Sequence, residues 1–143
     1  METKKVKATS MTVIQQMTHQ DANLAGNVHG GVILKLIDNT AGIVGVRHTG
    51  GNVVTASIDK VDFHSPVFVG DLRVEAENFV SGEVRHTGSA YLTFVALDEK
   101  FKPKPINPII LETEDEKRRN CEAEERRRVR LESVKEWKTK CTI

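Results

Sequence analysis

Three stretches of the sequence carry residue types that can act together on a carbonyl group. Asp38 is the one carboxylate in the weakly polar run from Gly30 to Val46. A carboxylate in such surroundings is costly unless it is paired or put to use. Upstream, Asn23 sits in a polar loop running from Thr18 to Asn27, and His29-Gly30-Gly31 opens what reads as a helix. Backbone N–H groups at a helix start, unshielded where glycine has no side chain, can stabilise an oxyanion. A carboxylate base, an amide donor and an oxyanion site are the parts needed for water to attack an activated carbonyl. Each residue also has a plainer reading. Asn23 suits a loop or a cap, Gly30 and Gly31 suit close packing, and Asp38 suits one half of a structural pair across a dimer. On residue types alone, both sets of readings stay open.

Other chemistries leave no trace. The chain has no glycine-rich phosphate loop ending in Lys-Ser or Lys-Thr, and no Cys/His metal spacing. Its five histidines form no HxxxH pair, and Gly-x-Ser-x-Gly is absent. The two cysteines, Cys121 and Cys141, make neither a disulfide framework nor a metal site. No metal is expected.

The elements that must position Asn23 and Asp38 follow from periodicity. Val32/Ile33, Leu36/Ile37, Thr40/Ala41 and Ile43/Val44 recur at helical spacing. The opposite face carries Leu34, Asp38, Gly42 and Gly45, small and mostly uncharged, so this helix is expected to be central and wrapped on more than one side. Two mid-helix glycines cost about 1 kcal/mol each relative to alanine, which close approach of another backbone would offset. The wrapping material reads as β-structure. Residues 11–17 suggest a first strand, 52–63 a second, 72–79 a third and 83–97 the best, with a hairpin turn at Val80-Ser81-Gly82-Glu83. Pro103, Pro105 and Pro108 then carry the chain out in extended form.

The whole sequence is one domain's length, 143 residues with net charge +1. Near-neutrality removes the electrostatic argument for nucleic acid or an anionic membrane as the main partner. Charge is unevenly spread, with nine acidic and ten basic side chains in residues 112–140. Thr113-Glu-Asp-Glu116 has the form of a capping box. Behind it, Glu114/Arg118, Asp115/Arg119, Glu122/Arg126 and Glu124/Arg128 stand at i, i+4, predicting a long solvated helix from about Thr113 to Lys138. The expected organisation is a domain over 1–111 and a charged helical tail over 112–143. No apolar stretch reaches the about 20 residues of a membrane span, and Met1-Glu-Thr-Lys-Lys leads into no apolar signal core. The cytoplasm is the expected compartment.

Taken together, several segments resemble the hotdog-fold acyl-CoA thioesterases, within them the cytosolic acyl-CoA hydrolase group with its brain-type and single-domain bacterial members. The likeness runs through residues 21–38 (DANLAGNVHGGVILKLID), 41–48 (AGIVGVRH), 53–59 (VVTASID), 62–66 (DFHSP) with 69–71 (VGD), 87–98 (TGSAYLTFVALD) and 112–118 (ETEDEKR). It implies an α+β hotdog fold, with an antiparallel sheet wrapped around a long central helix, and here a charged C-terminal helix after it. It implies homodimers whose sheets join, often assembled as trimers of dimers. The implied reaction is hydrolysis of acyl-CoA to free CoA and a carboxylic acid by water, with no cofactor beyond the CoA of the substrate. In that family an Asn before the helix and an Asp within it act across the dimer interface, and they match Asn23 and Asp38. His29, Gly30 and Gly31 would hold the thioester, with Arg47 and Arg85 near the CoA phosphates. Two other functions fit the same fold, enoyl-CoA hydration and acyl-CoA binding without turnover. The sequence departs from the family at Leu72-Arg73, where a strand's worth of residues is missing.

Overall fold

The computed structural model describes residues 3–69, 75–78 and 83–140. They group into two compact units, residues 9–106 and residues 3–8 with 107–140.

The smaller unit begins with β1 (Lys4–Lys5) and the single turn α1 (Val6–Thr9). In the larger unit, residues 10–15 stay irregular where a strand was expected. The Gln15-Gln16 pair breaks their alternation, and Met17, 2% exposed, anchors the segment by burial instead. A 3-10 turn (His19–Asp21) follows, then the long helix α2 (Gly30–Thr49). Its ends are set locally. The His29 side chain caps the first turn, and Gly50 closes the last with φ 64°, donating its N–H to Val46 O.

The antiparallel strands β2 (Val53–Phe63), β3 (Glu75–Asn78), β4 (Glu83–His86) and β5 (Gly88–Ala96) come next. β2 pairs with β5 from Val53↔Ala96 to Phe63↔Gly88, and β3 with β4 from Glu75↔His86 to Asn78↔Glu83. The Leu72-Arg73 junction and the expected turn at Val80–Gly82 lie outside the described residues. So do Arg73–Val74 and Phe79, at the ends of the expected third strand.

The small face of α2 lies on the β2–β5 pair. A Cβ on Gly42 would touch the Phe94 ring at 3.8 Å, and one on Gly45 would press Val53 Cγ2 at 3.1 Å. These glycines admit side chains from β2 and β5, not the bare backbone that their spacing suggested. The buried cluster sits near the start of the helix, where Met17, Val28, Ile33 and Val67 meet, with Val32, Leu36 and Ile37 packed against it. Ile43 and Val46 stay 45% and 46% exposed, because the described strands of a single chain cover only one flank.

In the smaller unit, β1 pairs in parallel with β6 (Ile109–Ile110), Lys4 opposite Ile109 and Lys5 opposite Ile110. Lys5 Nζ reinforces this with an ion pair to Glu112 at 2.7 Å. The tail is the helix α3 (Glu114–Lys140). Its capping box forms: Glu116 N–H donates to Thr113 Oγ1, while the Glu112 and Thr113 N–H groups donate to Glu116 Oε2. Asp115 pairs with Arg119 at 2.7 Å, and Arg118 and Arg128 each hold two carboxylates, one turn before and one turn after. These exposed pairs raise the Arg118 and Arg128 pKa values and are screened by salt. No helix among the described residues is long and apolar enough to cross a membrane.

Candidate active site

The loop that carries Asn23 is tied by its own main chain. Asn23 N–H donates to Asn27 O at 2.7 Å, and Gly26, at φ 82°, donates to Asn23 O. The Asn23 side chain completes the turn, its Oδ1 accepting from Ala25 N–H at 2.9 Å and from Asn27 N–H at 3.2 Å. This is the plain role of an asparagine in a loop. It uses only the oxygen, and Nδ2 donates to nothing among the described residues. The loop is pinned to its neighbours by Val28 N–H donating to Val67 O at 2.8 Å and His29 N–H to Asp21 O at 2.7 Å. Asp21 is fixed in turn by hydrogen bonds from the Thr18 N–H and hydroxyl, which hold its carboxyl below the usual range.

At the helix start the two glycines differ. Gly31 N–H, expected to be free, donates to His29 Nδ1 at 3.1 Å. The ring acts as a cap, and as acceptor there it carries its proton on Nε2. Gly30 N–H has no partner among the described residues, and Gly30 borders a cleft of about 390 Å³ together with Asn23, Phe63 and His64. The open donor of the pair is therefore Gly30, and Gly31 becomes available only if the His29 ring turns aside.

Asp38 stands two turns further on, about 12 Å along the axis from Gly30. It is half-buried, and its Oδ1 accepts a hydrogen bond from Thr55 Oγ1 at 2.6 Å. No cation pairs with it among the described residues. Thr55 was not singled out from the sequence. It is placed by tertiary structure, because single extra residues at Ala56 and Asp59 interrupt the β2–β5 register. Thr55 stays opposite Phe94 on the helix-facing side, and Ile58 returns to that side opposite Leu92. Bulges of this kind re-aim side chains.

The cleft that Asn23 borders is lined by Gly30, Phe63 and His64 but not by Asp38. Arg47 lies in the last turn of α2, where its Nη1 donates to Ser10 O at 3.2 Å, far along the helix from the cleft. Arg85 lies on β4 opposite Ala76, and its side chain is outside the described residues. Among the described residues no group of three His, Cys, Asp or Glu side chains could hold a metal ion.

Comparison with known proteins gives consistent matches. The Thioesterase superfamily pattern matches residues 25–96. The cytosolic acyl coenzyme A thioester hydrolase of Mus musculus is 34% identical over 135 residues, covering 80% of this chain and 35% of that protein. The chain thus spans about a third of the length of its mammalian relatives. The crystal structure of an apo-hexameric acyl-CoA thioesterase superposes with a TM-score of 0.86 at 31% identity, covering 94% of this chain and 98% of the other. An acyl-CoA hydrolase from Staphylococcus aureus, in complex with butyryl coenzyme A, coenzyme A and coenzyme A disulfide, gives 0.83 at 29% identity over 94% and 96% of the two chains. That enzyme is also known with a threonine, an aspartate or an asparagine replaced by alanine.

Proposed function

The chain belongs to the thioesterase superfamily, with the hotdog fold, and from that premise we propose that it hydrolyses acyl-CoA to free CoA and a carboxylic acid. The observation that carries this reading is Asp38, a half-buried helix carboxylate whose partner is the Thr55 hydroxyl. Such a group is free to take a proton from water, and the hydroxyl fixes its rotamer. Asp38 is the general base. Asn23 Nδ2 orients the water or the thioester, and the Gly30 N–H, with Gly31 once uncapped, receives the carbonyl oxygen as it gains charge.

As the family resemblance implies, Asn23 and Asp38 of one site come from different copies, so the working unit is a homodimer in which the helix of one copy serves the cleft of the other. The exposed Ile43 and Val46 flank of α2 supports such a partner. Three dimers would give the hexamer of the structural relative. Residues 1–111 carry the catalytic domain in this reading, and 112–143 form a tail outside it. The CoA moiety is substrate, no separate cofactor is used, and the compartment is the cytoplasm. Arg47 and Arg85 are assigned to the CoA phosphates only in the assembled oligomer.

Thiol release over a panel from acetyl-CoA to palmitoyl-CoA tests the activity. Saturable release at about 1–10³ s⁻¹ for at least one acyl length is expected. Binding of acyl-CoA without release at any length overturns the reading.

The part played by Thr55 has its own test. Thr55→Val keeps the branched shape and removes the donor to Asp38. A hydrogen bond to a charged group contributes about 1.5–3 kcal/mol, so kcat is expected to fall about 10- to 10²-fold with KM little changed. An unchanged kcat in the Val variant would reduce Thr55 to a packing residue.

A further inference from the structure

Asp38 serves the attacking water, and nothing so far serves the sulfur that must leave. Resting on the hydrolysis proposed above, we infer that His64 is the acid that protonates the departing CoA thiolate. The cleft beside Asn23 and Gly30 is walled on its other side by Phe63, His64, Ser65 and Pro66. Among the described lining residues, His64 is the one side chain with acid–base chemistry. The remaining wall is apolar, amide or hydroxyl. Among the described residues, a thioester cleaved in this cleft therefore meets one ionisable side chain, His64.

His64 is also held in place, as a proton donor has to be. Its main-chain N–H donates to Thr87 O at 2.8 Å, and the Ser65 N–H shares the same oxygen at 3.3 Å. Thr87 is only 2% exposed, so this anchor belongs to the rigid start of β5. The imidazole itself lies against His86, with ring centroids 5.4 Å apart and planes 29° from parallel. His86 is steadied in turn by Ser89, Nε2 to Oγ at 3.0 Å. The second ring fixes the first from outside the cleft. Both rings are exposed, so His64 can be recharged from water between turnovers.

The step balances. As the water oxygen bonds to the carbonyl carbon, Asp38 of the facing copy takes one of its protons. The tetrahedral intermediate collapses, the C–S bond breaks with its electron pair going to sulfur, and the His64 imidazolium gives that sulfur its proton. His64 takes a proton back from solvent, and Asp38 returns its own to solvent. The collapse leaves a carboxylic acid, which loses its proton to water, so the sum is acyl-CoA and water giving carboxylate, CoA thiol and one proton. A cysteine thiol has a pKa of about 8.5 and a plain alkyl thiol is less acidic still, so the CoA thiolate gains from protonation as it leaves. An aryl thiolate is stable without it.

That difference supplies the experiment. His64→Phe keeps a ring to lie on His86 and loses the proton, and His64→Gln keeps a hydrogen-bond donor without an acid. Both variants are compared with the wild-type chain on butyryl-CoA and on S-phenyl thiobutyrate. On butyryl-CoA, kcat is expected to fall about 10²-fold, whereas on the phenyl thioester it stays near wild type. Equal losses on the two substrates, or none on either, overturn the assignment. His64→Gln must show the same split should the Phe variant not fold. If the wild-type chain releases thiol from no acyl-CoA of the panel and from no phenyl thioester, the hydrolase reading falls and the role of His64 falls with it. If it cleaves both and the variants do not separate the leaving groups, only the role of His64 is lost.

Discussion

Asp38→Asn is expected to lower kcat by about 10²–10⁴ while leaving the protein folded, the range over which general-base assistance operates. Asn and Asp have similar helix propensities, so α2 should persist across Gly30–Thr49. The amide oxygen can still accept from Thr55 Oγ1, which keeps the contact to β2. No described cation loses its counter-ion, so the substitution leaves no buried charge stranded. What disappears is the ability to take a proton. The measurement is kcat on the best acyl-CoA of the panel, beside circular dichroism and a melting curve for the fold. Near-wild-type turnover by a folded Asn variant would remove Asp38 from the mechanism.

The sequence located α2 well because its signals are local. The spacing of Val32, Leu36, Ile37 and Ile43, the glycine after Thr49 and the residue before Gly30 all act within one or two turns. The same holds for α3, whose capping box needs only Thr113 and Glu116. Asn23 and Asp38 stood out as residue types, and their elements, a loop and a helix, were readable. Their surroundings were not. Thr55 lies opposite Phe94, on the side of β2 that Val53 turns to the helix, and the bulge at Ala56 lets Ile58 fall opposite Leu92, which straight alternation hides. Gly31 was read as an open donor because the sequence cannot weigh a substrate against the His29 imidazole for one N–H, and in the folded chain the imidazole holds it. Lys4 and Lys5 pair with Ile109 and Ile110 across nearly the whole chain length, a contact no local pattern announces. The open flank of α2 shows the same limit. Periodicity registers that a surface is apolar and is silent on whether its cover comes from the same chain.

That last point leads to the test of a shared site. Asn23→Ala alone and Asp38→Ala alone should each give an inactive homodimer, since every site then lacks one member of the pair. Within one copy the two side chains have separate surroundings: Asn23 borders the cleft beside Gly30, while Asp38 lies against Thr55 two turns along α2. Two-fold symmetry would bring the Asp38 of each copy to the cleft of the other, making two equivalent sites. When the two mutants are unfolded together and refolded at equal concentration, about half the dimers are mixed. Each mixed dimer has one site with both residues intact and one with neither, so recovered activity should be about a quarter of wild type. Differently tagged chains, recovered in one complex, confirm that subunits exchanged. A mixture as inactive as its components, with exchange confirmed, would show that Asn23 and Asp38 do not meet across a dimer. Asp38 would then have to serve the cleft of its own chain, where Gly30 lies about 12 Å from it along the axis of α2.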